Sequence, residues 1–440
     1  MEKVLVLGAG MVSRPLVRYF LEKVGFSVTV ASRTLSKAER LINGHPNGEA
    51  YTLNVYDDTG LENFVKNADI VVSLLPYIHH VKVAEFCIKH RKHLVTTSYV
   101  SDAMKALDEE AKDAGVLLLN ECGLDPGIDH MSAMRVIHDV ESKGGKIISF
   151  RSTTGALPAH DSNNNPFGYK FSWSPRGVLL ASRNAAKWLE NGKTVSIPGE
   201  ELFEHYIIQD VPGAGSFENY PNRDSLTYKE LYGLKDAETV YRGTFRMIGW
   251  CETLRKIAAL GWLNDKPIEG FTGKTYGNMT RYLIDAEDTD DLVTATAKYL
   301  GLENYSAVIK RLEWLGLFSN EPLPENVDNP LDYLTAIMLK KMSLDKKDRD
   351  MIVMYHEFIA DYGSKKECVT STLVDYGIPG GDTAVARTVA LPAAIATKMI
   401  LNNKTNLKGV HIPVTPEIYN PILDELEKMN IRFIEKTEAI

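Results

Sequence analysis

A few short phrases of this sequence are equipped for chemistry. One is Leu117-Leu118-Leu119-Asn120-Glu121-Cys122-Gly123-Leu124-Asp125-Pro126-Gly127-Ile128-Asp129-His130. Its apolar run reads as a buried strand that breaks at Gly123, turns through Asp125-Pro126-Gly127 and enters a helical pattern over 131–140. A loop at the carboxyl end of a strand, where one domain hands over to another, is where open α/β proteins place their ligands. The same triplet fits a surface turn, because proline presets φ and glycine tolerates positive φ. Asp125, together with Tyr99 in Thr97-Ser98-Tyr99, supplies ionisable groups that could polarise a carbonyl or relay a proton. Arg223 and Arg246 offer guanidinium forks that match carboxylates bidentately. Each arginine taken alone also reads as a surface charge or an interdomain ion pair.

A further phrase is Gly8-Ala9-Gly10-Met11-Val12-Ser13, which follows a short apolar run over 4–7 and precedes helical periodicity over 12–24. Strand, glycine turn and helix form a dinucleotide fingerprint: Gly8 permits the tight turn and Gly10 admits a pyrophosphate close to the backbone. The third glycine position holds Ser13, so the fingerprint is incomplete. The second strand, over 27–31, ends in Ser32-Arg33-Thr34. A fold that prefers NAD usually carries Asp or Glu here, whereas a cation and two hydroxyls suit a 2′-phosphate, which favours NADP(H). A solvated Arg33 is the alternative.

The elements that must position these residues alternate at a steady pace. Strands are expected over 51–55, 69–75, 94–97 and 116–119, and helices over 61–66, 81–90 and 103–113. Six strands separated by helices imply a parallel sheet with right-handed crossovers. Their carboxyl ends carry Asn54-Val55, Leu75-Pro76, Thr97-Ser98-Tyr99 and Leu124-Asp125-Pro126, all expected to face one crevice.

Beyond residue 145 the texture changes. An alternating run over 146–153 leads to Thr154-Gly155-Ala156-Leu157-Pro158, then a polar loop, an aromatic phrase through Trp173-Ser174 and a helix expected from Pro175 to about 189. Residues 250–347 read as helices, 351–360 and 367–375 as an antiparallel pair, and 383–401 as an apolar helix interrupted at Pro392. The tail is expected to be helical over 424–429 and extended over 431–434. The fold class is therefore α/β: a Rossmann-type doubly wound parallel sheet, a mixed α/β substrate domain with an antiparallel sheet, and an all-helical insertion. The expected boundaries are 1–124 for the dinucleotide domain with 402–440 returning to it, 125–250 with 348–401 for the mixed domain, and 251–347 for the helices.

Composition narrows the classes. A chain of 440 residues needs more than one core. Its net charge of −8, without a basic stripe, argues against nucleic acid. No apolar stretch approaches the roughly 20 residues of a membrane span, and the first strand begins at once, leaving no room for a leader. Cys87, Cys122, Cys251 and Cys368 are dispersed, which indicates neither a disulfide framework nor zinc and fits a reducing cytoplasm. His79-His80, His90 and His93 lack the carboxylate or thiolate spacing of a metal site, so no metal is expected. His130 reads as a structural hydrogen bond in the first helical turn, and Trp173 as core or as a wall against a cofactor.

Several phrases together resemble the NADP-dependent, glutamate-forming saccharopine reductases. They are Ser73-Leu74-Leu75-Pro76-Tyr77, Thr97-Ser98-Tyr99, Gly123 through His130, Asn165-Pro166 with 168–174, the phrase over 220–225, and Arg242-Gly243-Thr244-Phe245-Arg246. The resemblance implies condensation of L-glutamate with 2-aminoadipate 6-semialdehyde and reduction of the imine to L-saccharopine, a late step of lysine synthesis through aminoadipate. It also implies a homodimer of three-domain subunits, and composition has already set membrane and nucleic acid aside as partners. Beside Gly8 of the glycine turn, the resemblance assigns NADP contacts to Gly10, Met11, Val12, Ser13, Ser32, Arg33, Thr34, Asn54, Val55, Leu75, Thr97, Ser98, Leu124, Asp125, Pro126 and Ser174. Substrate contacts fall on Ser98, Tyr99, Asp125, Arg223, Thr244, Phe245 and Arg246, with Tyr99 and Asp125 as candidates for moving protons.

The sequence departs from the family in two places. Thr154 stands where relatives carry cysteine in Cys-Gly-Gly-Leu-Pro, and Gly380-Gly381-Asp382-Thr383-Ala384 replaces an aromatic-and-serine turn. The nearest rival is the NAD-dependent saccharopine dehydrogenase half of the lysine-degrading fusion enzyme, against which Arg33 argues. Carboxynorspermidine synthesis is more distant, since that substrate lacks the full set of carboxylates. A non-catalytic NADP-binding sensor would not need Tyr99, Asp125 and both arginines together.

Overall fold

Apolar runs that must be covered on both faces pair as the parallel sheet of the first unit. The computed structural model describes all residues from Met1 to Ile440. Its early strands are β1 (Lys3–Leu7), β2 (Ser27–Ser32), β3 (Gly48–Thr52), β4 (Ile70–Ser73), β5 (His93–Thr96) and β6 (Leu117–Leu119). The sheet order is Gly409–His411, β6, β5, β4, β1, β2, β3, with every pairing parallel. All residues of β4 and β6 are buried, which is why their sequences do not alternate. The chain leaves β1 toward one edge and returns through β4 toward the other, so the topological switch lies between β1 and β4.

Local boundaries moved in informative ways. The helix expected over 12–24 begins at Arg14 and continues from Tyr19 to Val24 as a π-helix. The segment expected as one helix over 103–113 is two, Asp102–Lys105 and Asp108–Asp113. The third strand lies at Gly48–Thr52, upstream of its expected position, because it continues the parallel register with β2.

The chain forms two compact units, Met1–Lys146 with Gly381–Glu435, and Ile147–Gly380 with Lys436–Ile440. This differs from the expected boundaries at 124 and 401. The helix Ile128–Ser142 packs against Pro416–Lys428, and Ala384–Leu401 packs across β4 and β5, so both belong to the first unit. Ala384–Leu401 holds Pro392 inside it without breaking. Its 18 residues are long and apolar enough to cross a membrane, contrary to expectation, but 78% of that window is buried among the first unit's other elements.

The second unit contains β7 (Lys146–Pro158), β8 (Ala186–Glu190), β9 (Lys193–Ile197), β10 (Ile207–Val211), β11 (Gly215–Pro221), β12 (Thr239–Arg246), β13 (Asp350–Asp361) and β14 (Lys366–Tyr376). The order runs β10, β11, β12, β7, β13, β14 and then Phe433–Ala439, with β8 pairing β12 and β9, so the end of the tail expected to return to the first sheet joins this one instead. The hairpin expected from the alternating runs is β13–β14, in register from Met351 opposite Tyr376 to Asp361 opposite Lys366. The helix expected from Pro175 ends at Ala181, and its second half is β8. There Trp188 packs edge-on against Tyr241 of β12, a tertiary contact that overrides the local pattern.

Of the five helices between Trp250 and Lys341, the last four are capped by Thr275, Asp291, Ser306 and Asn329, each accepting a backbone N–H in the first turn. They share one apolar core with Tyr169, Phe171 and Tyr220, so they are part of the second unit rather than a separate body.

In the first unit, the turn after β6 is closed by Gly123 N–H to Pro126 O at 3.0 Å, Ile128 N–H to Gly123 O at 2.9 Å and Asp129 N–H to Leu124 O at 3.0 Å. Gly127 has φ +147°, and a Cβ there would stand 2.0 Å from Gly123 O. Gly127→Ala is therefore expected to lower unfolding stability by about 2–4 kcal/mol. An unchanged denaturation midpoint would show that this turn yields freely.

Candidate active site

At the carboxyl ends of β1 and β2 the glycine turn forms as its residue types require. Gly8 adopts φ +107°, and a Cβ on it would meet Leu74 O at 2.9 Å. A Cβ on Gly10 would meet nothing within 4 Å, so open space lies beside that backbone. Ser13, in the third glycine position, is fully buried; its Oγ accepts from Gly10 N at 3.0 Å and donates to Gly8 O at 3.3 Å. The departure from the fingerprint is thus a side-chain latch across the turn. A cavity of about 330 Å³ is lined here by Gly8, Gly10, Ser32, Arg33, Thr34, Val55 and Leu75 among the anticipated residues. Met11 is exposed, and Met11, Val12, Ser13 and Asn54 do not line this cavity.

The cavity lining holds two cations, Arg33 and Lys37, and no carboxylate. That charge set suits a phosphate better than ribose hydroxyls. Lys37 went unnoticed in the sequence, although it lies in the first turn of the helix Leu35–Ile42 that Thr34 introduces. Tyr56 and His79 were missed too; their rings meet edge-on at 5.4 Å on the lining. A nucleotide bearing an additional phosphate fits this donor set and this open glycine cradle.

The ends of β4, β5 and β6 carry a second group of side chains in the same unit. Tyr99 OH donates to Asp125 Oδ1 at 2.9 Å. The Asp125–Pro126 peptide is cis, and Leu124 and Pro126 are buried beside the half-buried Asp125. Glu121, at φ +58°, accepts Val100 N–H at 2.8 Å with one oxygen and lies 2.7 Å from His130 Nε2 with the other. His130 is therefore the structural contact expected. His80 Nδ1 lies 2.9 Å from Ser73 Oγ and its Nε2 2.9 Å from Ser98 Oγ. Burial, then the adjacent His79, pushes the His80 imidazole down to about 4. No group of three or more metal-ligating side chains forms.

In the second unit the paired strands sort their residues by face. Tyr220, Thr244 and Thr154 lie in one row across β11, β12 and β7, and Glu218 faces Arg246 two residues along. Since side chains alternate, Phe245 points to the other face, where it is fully buried and packs on Phe217 at 5.5 Å. Its side chain is thus turned from Thr244 and Arg246; its backbone shares their row, and its carbonyl accepts from Arg246 at 2.8 Å.

The Arg246 guanidinium is 5% exposed and lies 5.2, 5.9 and 5.6 Å from the rings of Tyr169, Tyr220 and Trp250. Its Nε, Trp250 Nε1 and Thr154 Oγ1 are buried without hydrogen-bond partners. Glu218 does not neutralise it by an ion pair, because its carboxylate accepts Gly249 N–H at 2.7 Å and Cys251 N–H at 2.8 Å. Burial pushes the Tyr220 phenol up to about 12, so that ring stays neutral beside the cation. A buried guanidinium with an unmet donor is arranged for an anion. Arg223 lies exposed after β11 at φ +55°, and Ser174 Oγ caps the helix Pro175–Ala181 by accepting Gly177 N–H at 3.2 Å. Burial holds the thiols of Cys122 and Cys251 well above the ordinary range, so neither supplies the thiolate missing at Thr154.

Comparison with known proteins gives the same assignment along the whole chain. Residues 4–119 match the saccharopine dehydrogenase NADP binding domain, and residues 123–431 match the saccharopine dehydrogenase C-terminal domain. The NADP(+), L-glutamate-forming saccharopine dehydrogenase of Schizosaccharomyces pombe is 40% identical, over 99% of each chain. The mitochondrial alpha-aminoadipic semialdehyde synthase of Mus musculus is 36% identical, but this chain covers 47% of it. The apo saccharopine dehydrogenase (L-Glu forming) of Saccharomyces cerevisiae superposes with a TM-score of 0.92 at 38% identity, covering 100% of both chains.

The depressed His80 imidazole has a measurable consequence. In the fold it stays neutral down to about 4, whereas the unfolded imidazole takes its proton near 6.5. Between those values the unfolded chain binds more protons, so stability is fully present above pH 6.5 and is lost as pH falls toward 4. His80 is expected to contribute a loss on the order of 3 kcal/mol across that window. Denaturant unfolding at a series of pH values, compared with His80→Phe, checks this; identical pH slopes would refute it.

Proposed function

The chain belongs to the saccharopine dehydrogenase family, and from that premise we propose the roles of its residues in an NADP-dependent, L-glutamate-forming saccharopine dehydrogenase. In the reductive direction, glutamate's amine condenses with the aldehyde of 2-aminoadipate 6-semialdehyde, water leaves, and the imine is reduced to saccharopine. NADPH, when bound, supplies the hydride. This is the direction of lysine synthesis through aminoadipate.

The chain's own work is binding, orientation and proton handling. Gly8, Gly10, Ser32, Arg33, Thr34, Val55 and Leu75 hold the nucleotide, with Arg33 and Lys37 on its additional phosphate. Met11, Val12, Ser13, Asn54, Thr97, Leu124, Pro126 and Ser174 are assigned to the cofactor by family resemblance. Saccharopine carries three carboxylates, and the buried Arg246 with its unmet Nε is the observation that most favours a carboxylate ligand. By family resemblance Arg223 and Thr244 are assigned to substrate binding, and so, in the first unit, are Ser98, Tyr99 and Asp125. Asp125 pairs with a substrate ammonium. The Tyr99–Asp125 hydrogen bond links the two groups that move protons as water leaves or adds. Thr154 keeps hydrogen-bonding capacity where relatives carry a thiol, so acid–base work at that position is absent here. The working protein is a cytoplasmic homodimer.

The NAD-dependent reading is disfavoured by the cavity lining, which offers Arg33 and Lys37 and no acidic residue for the ribose hydroxyls. NADPH absorbance is followed with purified protein, glutamate and the semialdehyde, then with NADH. Glutamate-dependent oxidation is expected to be roughly 10–100-fold more efficient with NADPH, the worth of charge-assisted contacts to one phosphate. Preference for NADH would transfer the assignment to the degradative dehydrogenase.

Arg246 gives a separate test. Arg246→Met keeps the volume and removes a buried, unpaired charge, so unfolding stability should hold or rise. Catalytic efficiency with saccharopine should fall by about 2–5 kcal/mol in transition-state terms. Retained efficiency would remove Arg246 from the substrate site.

A further inference from the structure

The geometry points to His80 as a positioning residue that fixes Ser98 as a hydrogen-bond donor to a carbonyl or carboxylate oxygen of a bound ligand. The inference rests on the reading of Ser98 as a ligand contact. His80 opens the helix His80–Lys89 and bridges the carboxyl ends of two adjacent parallel strands, with Ser73 closing β4 and Ser98 just beyond β5. Both ring nitrogens are engaged at 2.9 Å, and the residue is 4% exposed.

The direction of each hydrogen bond follows from burial. Ser73 is fully buried, and His80 is the partner of its hydroxyl. If Ser73 only accepted from the imidazole, its own O–H would be left buried and unmet, which native structures avoid. Ser73 therefore donates to His80 Nδ1. A neutral imidazole that accepts at Nδ1 carries its proton on Nε2 and donates there. Ser98 Oγ receives that N–H, so the Ser98 hydroxyl proton is directed to a third group. The depressed basicity of the buried ring keeps this arrangement in place through neutral pH. Ser98 O also accepts Glu121 N–H at 3.2 Å, which ties the backbone of the same residue to the turn after β6.

An anion or carbonyl oxygen is the acceptor that such a hydroxyl suits, and two sources share that chemistry: a substrate carboxylate and a carboxamide or phosphate oxygen of NADP. A double-mutant cycle on the full chain separates them and tests the relay. Ser98→Ala, His80→Phe and the double variant are compared by KM and kcat for saccharopine and by Kd for NADP+ from fluorescence titration. Ser98→Ala is expected to weaken one of the two ligands by roughly 5–30-fold, the worth of one hydrogen bond to a charged or strongly polar group. A shift in saccharopine KM marks a substrate carboxylate, and a shift in NADP+ Kd marks the cofactor.

His80→Phe should reproduce that loss, and the double variant should be no worse than Ser98→Ala alone. A His80→Phe penalty that persists undiminished beside Ser98→Ala would mean His80 acts on the fold and not through Ser98, and would overturn the inference. No effect of Ser98→Ala on either ligand would instead overturn the reading of Ser98 beneath it. Should His80→Phe fail to fold, 15N NMR of the unaltered protein decides. A proton on His80 Nε2 is the expected result, and a proton on Nδ1 overturns the assignment.

Discussion

Parallel pairing constrains everything else in the first unit. A parallel strand must be re-entered from the same end each time, so every crossover returns the chain and every strand releases its loop at one edge. The glycine turn after β1, Ser32-Arg33-Thr34 after β2, the loop around Val55, Leu75-Pro76 after β4, Thr97-Ser98-Tyr99 after β5 and the Asp125 turn after β6 therefore all leave the sheet at its carboxyl end. Residues far apart in sequence, such as Gly8 and Leu74, thereby become neighbours. Tyr99 and Asp125 meet at 2.9 Å because β5 and β6 are adjacent and both end there.

Charge is distributed so that each buried ionic group either has its partner within the fold or retains donors for a ligand. Glu121 is satisfied by Val100 N–H and His130, and Glu218 by the first N–H groups of the helix it faces. These carboxylates hold backbone turns in place and have little capacity left for chemistry. Arg246 differs. It is surrounded by aromatic faces that stabilise a cation without neutralising it, and one of its donors is unmet. Desolvation without compensation is costly in the free protein, and it is what makes an arriving carboxylate favourable.

The Ser13 latch and the Thr154 hydroxyl show how departures from a motif can be read physically. Ser13 replaces the freedom of a third glycine with two hydrogen bonds that hold the same turn. Thr154 replaces a thiol in a row with Thr244 and Tyr220, and its buried hydroxyl has no partner in the fold. The first residue keeps the turn closed by other means, whereas the second presents a hydroxyl, which cannot serve as a thiolate.

By itself the sequence determined the parallel sheet, the glycine turn, the cationic end of β2, the β13–β14 hairpin and the phrases that place the chain in its family. Each is written in local periodicity or in residues a few positions apart, where steric and hydrogen-bonding preferences act directly. Only the tertiary structure decided that 384–401 covers the first unit's sheet, that the second half of the expected helix after Pro175 is a strand, and that the helical stretch shares its core with the mixed sheet. It also decided that Phe245 faces away from Thr244 and Arg246, since a one-residue step reverses the face and register depends on distant partners. Lys37, His80 and the orphaned Nε of Arg246 were invisible for the same reason: their roles are defined by what lies beside them across strands, and pairing over long sequence separation has no local signature.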